Sequence, residues 1–203
     1  VLGAGTTLTT NTCNIAFSNG IAGGQSLALN GGGVGSHTFS VAGTLAVNNL
    51  TVTATVGSTN NVLSVNTGGS QNWLVTGTNI GSLTGVAGVG GAFTFSNIAF
   101  LDGSSGNDNF ILNGGTLGGG INGMAGTNSL TGNSVASNWG ITGANTGTVT
   151  GIGSGFLNIQ NLVGGNANNT FTFADGGSVT SINGGNLANT NTINYSAVTS
   201  AVT

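Results

Sequence analysis

The chain has 203 residues and contains no Lys, Arg, Glu or Pro. Its ionisable side chains are Asp102, Asp108, Asp175, His37, Cys13 and Tyr195, for a formal charge of −3. Without a cation there is no phosphate clamp, no basic footprint for nucleic acid and no hold on anionic lipid. Carboxylate-pair, lysine-base and cationic oxyanion chemistry have almost no residues to draw on, so the expectation is that the chain is not an enzyme. Gly supplies 41 residues, too irregularly spaced for collagen, and Asn and Thr supply 30 each. At 37% hydrophobic the chain can bury a core, which sets it apart from charge-rich disordered sequences. A membrane helix needs about 18–20 consecutive apolar residues. The longest apolar run is Ile98–Leu101, so no membrane insertion is expected. The start, Val1-Leu2-Gly3, lacks the basic region of a signal peptide and reads as a mature product or an excised segment.

Residues 1–61 form a loose series of short alternating runs: Thr12–Phe17, Ser26–Leu29, His37–Val41 and Leu50–Val56. In the last, Leu50, Val52, Ala54 and Val56 face one way and Thr51, Thr53 and Thr55 the other, the period-two pattern of a half-buried strand. Cys13 shares a face with Ile15 and Phe17, and a single cysteine cannot close an internal disulfide. It reads as a small buried hydrophobe, with an intermolecular disulfide as the alternative.

The rest of the chain is two copies of one module, 62–132 and 133–203. Asn72-Trp73-Leu74-Val75-Thr76-Gly77 recurs as Asn138-Trp139-Gly140-Ile141-Thr142-Gly143. Phe95-Ser96-Asn97-Ile98 recurs as Phe156-Leu157-Asn158-Ile159, and Gly103–Phe110 as Gly164–Phe171. Ile121-Asn122-Gly123 returns as Ile182-Asn183-Gly184. The sequence ends ten residues after Ile193, about where a third Trp motif would begin; this reads as a cut from an array or a subunit whose end expects a neighbour.

Strand-like runs punctuated by Gly-Gly, Asn-Gly and Gly-Asn, with no sustained helical period, predict an all-β fold. Self-similarity, abundant turn Asn and absent Pro favour a right-handed parallel β-helix (a β-solenoid) over a two-sheet sandwich. Coils of about 20–25 residues, eight to ten in all, are expected. Equivalent aromatics should stack along its axis: Trp73 with Trp139, Phe95 with Phe156 and Phe110 with Phe171, with Ile98 and Ile159 in the core.

The phrase Asn14–Asn30 (NIAFSNGIAGGQSLALN) resembles the repeats of filamentous-haemagglutinin-type and autotransporter-like bacterial surface proteins. The later modules, from NWGITG to NTINYSA, are similar to modules of very large bacterial exoproteins. The resemblance implies a secreted, extracellular or cell-surface solenoid serving as an adhesin shaft or surface fibre.

Calcium is the sharpest ligand candidate. Gly103–Phe110, which contains Asp108 and follows Asp102, is similar to a Ca²⁺-binding RTX turn, but the second copy has Asn169 where the first has Asp108. The expectation is that asparagine ladders replace metal sites and that no cofactor is required. His37 has no nucleophile-elbow sequence near it. Trp73 and Trp139 read as core residues before carbohydrate platforms. Thr148/Thr150, Thr170/Thr172 and Thr190/Thr192 raise ice binding as an alternative. The leading expectation is a structural protein whose partners are copies of itself, joined head to tail by strand stacking. An ice-binding or adhesive module of a giant secreted protein is the alternative, an amyloid-like cross-β fibre a third reading, and any glycan or surface ligand is left open.

Overall fold

The computed structural model describes residues 5–11, 14–57, 60–186 and 188–199, so Cys13 lies outside the described residues. These residues contain strands and turns and no helix. The β-branched and alternating runs account for this. In Leu50–Ala54, Leu50, Val52 and Ala54 are buried and Thr51 is exposed, as a strand with one face on a core requires.

Residues before the first Trp motif form β1 (Thr6–Thr10), β2 (Ile15–Phe17), β3 (Ile21–Ala22), β4 (Leu27–Gly31), β5 (Thr38–Ala42), β6 (Leu45–Ala46), β7 (Leu50–Ala54) and β8 (Val62–Asn66). The first Trp module continues as β9 (Asn72–Gly77), β10 (Ile80–Thr84), β11 (Phe93–Ser96), β12 (Phe100–Asp102), β13 (Asn109–Leu112), β14 (Gly120–Asn122) and β15 (Ser129–Thr131). The second is β16 (Ser137–Gly143), β17 (Thr146–Val149), β18 (Ile152–Leu157), β19 (Asn161–Val163), β20 (Asn169–Ala174), β21 (Ser181–Asn183) and β22 (Thr192–Ala197).

Two ten-stranded sheets result. Sheet A runs β1-β4-β7-β11-β10-β9-β13-β15-β19-β21, and sheet B runs β2-β5-β8-β12-β14-β18-β17-β16-β20-β22. A short third pair, β3 with β6, adds a side near the N-terminal end. Outside the Trp motifs the chain passes alternately from A to B, and each strand pairs in parallel with its counterpart one pass later. Thr6 faces Leu27, Leu27 faces Leu50, and Ile15 faces Phe39.

The expected all-parallel stack is interrupted twice. Each Trp motif opens a three-strand antiparallel meander, β9-β10-β11 in sheet A and β16-β17-β18 in sheet B. The hairpin turns place Asn79 and Asn145 at φ 60° and 55°, a left-handed conformation that asparagine tolerates better than branched residues. The first and third strands of each meander keep the common polarity, so both sheets remain parallel at their ends.

From its Trp motif on, the first copy's strands β9–β15 lie in sheets A, A, A, B, A, B, A, and the second copy's β16–β22 in B, B, B, A, B, A, B. Equivalent strands thus sit in opposite sheets. Each repeat makes five passes, one meander and four single strands (β9–β11, then β12, β13, β14 and β15), and this odd number starts the next meander in the other sheet. Its third strand lands on the preceding module's edge: β18 on β14, as β11 lands on β7.

One hydrophobic cluster fills the space between the sheets. Trp73 stacks on Phe110 at 5.7 Å between ring centroids and lies 6.2 Å from Phe95. Trp139 stacks on Phe171 at 5.4 Å and lies 6.2 Å from Phe156. The tryptophans therefore pack within their own modules rather than on each other, a correction to the expected pairing. Sheet exchange is the reason, because it removes equivalent residues from a common column. Ile98 and Ile159 are fully buried beside them.

Candidate functional site

The recurrent local device is a corner of the form Gly-x4-Asx. Gly103 precedes Asp108, Gly123 precedes Asn128, and Gly164 precedes Asn169. The chain leaves a strand at the glycine, turns, and re-enters a strand just after the buried Asx. A Cβ at Gly123 would sit 2.5 Å from Asn128 Nδ2, and one at Gly164 2.5 Å from Asn169 Nδ2, so only glycine fits. The Asx side chains then bond to the neighbouring pass. Asn128 Oδ1 accepts the Asp108 backbone N–H at 2.8 Å, and Asn191 Oδ1 accepts that of Asn169 at 2.9 Å. Asn61 Oδ1 accepts from His37 N at 2.9 Å, and Asn14 Oδ1 from Thr38 N at 2.8 Å. These bonds close the backbone donors that a corner leaves unpaired.

Asp108 belongs to this series. Its carboxylate accepts the backbone N–H groups of Gln71 and Ser104 and the Ser104 hydroxyl. Burial pushes its pKa up, and the bonds from Ser104 and Gln71 pull it down by less. Asp102 points outward from β12, and burial raises its pKa as well. Asp102 lies on the outward side of β12, whereas Asp108 is buried against Gln71 and Ser104. A hard divalent cation wants several converging oxygens, whereas those of Asp108 face N–H and O–H donors. These residues do not fit a calcium site.

His37 is buried, and neither ring nitrogen has a hydrogen-bond partner among the described residues. Its ring lies 6.3 Å from that of Phe39 and against Gly31, so it packs into the core. Trp73 and Trp139 are 0% and 1% exposed, which removes both as carbohydrate platforms. The three Thr pairs do not align: Thr170 faces Thr192, but Thr172 faces Asn194 and Thr148 faces Gly140. Among the described residues these pairs form no continuous Thr-x-Thr array.

At the ends of the sheets, core-facing apolar side chains lose their cover. In β22, Ile193 is 55% exposed and Tyr195 46%, whereas Leu130, the counterpart of Ile193 in the first module, is 0% exposed beneath β19. Tyr195 rests on Phe173 at 4.8 Å with its far side open. In β21, Ile182 is half-buried, whereas its counterpart Ile121 is 2% exposed beneath β18. At the opposite end, Leu8 of β1 and Ile15 and Phe17 of β2 are partly buried against the core. Nothing in the sequence pattern marked these residues, because exposure depends on which strand comes next in space.

No protein-family model, curated protein or solved structure matches the chain.

Proposed function

We propose that the chain is a structural extracellular protein: a right-handed β-solenoid subunit of a self-assembling surface filament or adhesin shaft, with copies adding head to tail by strand stacking. The observation that carries this reading is the match between the two ends. Each presents one strand of sheet A and one of sheet B, of common polarity, with half-covered apolar residues facing the core. Setting β1 of one copy on β21 of the next, and β2 on β22, brings Leu8 over Ile182, Ile15 over Ile193 and Phe17 over Tyr195. β2, β21 and β22 each lack a second strand neighbour among the described residues, and this contact supplies one. A contact between unlike ends does not close on itself and extends as a filament. The absence of Lys and Pro leaves both edges without the usual guards against pairing.

Sedimentation velocity across a concentration series tests this. The wild-type chain forms large, concentration-dependent species, and Ile193→Asp removes them without lowering Tm. A wild-type chain that stays monomeric at every concentration overturns the reading.

A second reading is supported by the internal junction, where β18 of one module covers β14 of the other. The same stacking can be repeated along one longer polypeptide, making this chain a segment of a giant shaft.

A further inference from the structure

The outer face of sheet B carries two columns of outward positions across β5, β8, β12, β14 and β18. One reads Ser40, Ser64, Asp102, Asn122, Leu157; the other reads Thr38, Val62, Phe100, Gly120, Gly155. The second column loses its side chains after Phe100, because two glycines follow in succession. A hollow of about 240 Å³ results, bounded by Phe100, Asp102, Asn122, Ser154 and Leu157. Its floor is backbone held by packing: a Cβ on Gly120 would lie 3.0 Å from the Gly155 carbonyl oxygen, and Gly155 itself has φ 79°. The hollow is therefore built into the stack where the second module seats on the first.

Its polar groups are arranged as an acceptor beside a donor. Asp102 and Asn122 are register partners on adjacent strands. The Asp102 carboxylate has no hydrogen-bond partner among the described residues. Asn122 Oδ1 is already engaged, accepting from Met124 N at 3.0 Å and Asn158 Nδ2 at 2.8 Å, which leaves the Asn122 amide N–H groups to donate. The Phe100 ring and the half-exposed Leu157 provide apolar walls. The chain has no Lys or Arg that could be the carboxylate's partner.

Three ligand classes can be weighed. An anion meets a carboxylate and no cation. A divalent metal finds one carboxylate and an amide oxygen already accepting two bonds, too few oxygens for its shell. A pyranose fits both halves of the site: adjacent hydroxyls donate to the carboxylate, a ring or hydroxyl oxygen accepts from the amide, and the C–H face lies on the aromatic ring. We propose that this hollow is a binding subsite for a neutral pyranose unit of a glycan. A shaft carrying it would bind sugar along its side, independently of how its ends assemble.

Ligand-observed NMR titration of the full chain tests this with three probes: methyl α-mannopyranoside, methyl β-galactopyranoside and methyl β-N-acetylglucosaminide. Saturable binding of at least one is expected in the millimolar range. Asp102→Asn and Phe100→Ala each weaken it by about tenfold or more, since each removes a charged acceptor or the apolar platform. Asp175→Asn, at an exposed carboxylate bonded to Thr199, leaves it unchanged. Far-UV circular dichroism confirms that the variants are folded. No saturable binding of any probe up to about 50 mM overturns the proposal, as does binding indifferent to both Asp102→Asn and Phe100→Ala. Either result leaves the sedimentation behaviour, and hence the assembly reading, untouched.

Discussion

Asn128 shows what the abundant asparagines do. It is fully buried, accepts the Asp108 N–H, and donates to the carbonyls of Ala125 and Asn158 at 3.1 and 3.0 Å. Asn128→Ala leaves the buried Asp108 N–H and two part-buried carbonyls without that partner, and the expected cost is about 1–3 kcal/mol by urea denaturation. Asp102 behaves oppositely, as a charge that gains no bond. Burial raises its folded pKa above the ordinary value of 3.8. The folded state thus retains a proton that the unfolded chain releases between 3.8 and the raised value, and stability from this group falls as pH rises through that window. Asp102→Asn should therefore melt above the wild type at pH 7, with the gap closing on acidification below the raised pKa. A gap that is constant with pH would contradict this. At this scale the sequence was readable where side chains served neighbours in the same run: Trp73 and Phe110 read as core from their repetition alone. The hollow beside Asp102 was not, because Gly120 and Gly155 become adjacent only through stacking.

At the scale of elements, alternation identified β4, β5 and β7, but the antiparallel meanders escaped a reading built on parallel coils. Their signal was present in Gly77-Thr78-Asn79 and Gly143-Ala144-Asn145, where an asparagine occupies a left-handed turn position. A β-branched residue there is strained, so Asn145→Val should lower stability by about 1–2 kcal/mol. The loss should appear first as faster amide exchange in β16 and β17. Aromatic stacking anchors each meander to the following pass. Trp73→Ala removes the contacts with Phe95 and Phe110 and should cost about 3–5 kcal/mol in equilibrium unfolding, as large-to-small changes in cores do. Exchange of sheets between modules had no sequence signature at all, since each strand's alternation is the same whichever sheet it joins.

For the whole molecule, the near absence of charge and the complete absence of Pro acquire a location. Among the described residues β1, β2, β21 and β22 are the outermost strands, over half-covered apolar residues and with no Lys or Pro in them. All ten strands of each sheet stack along one direction, so one copy should advance a filament by about 48 Å at the usual strand spacing. Negative-stain electron microscopy of the purified wild-type chain is the most direct measurement of the central claim. Uniform unbranched filaments with an axial repeat near that length, absent from Ile193→Asp, are the predicted result. Fields of single particles at every concentration, or wild-type filaments with no axial repeat near that length, would contradict it.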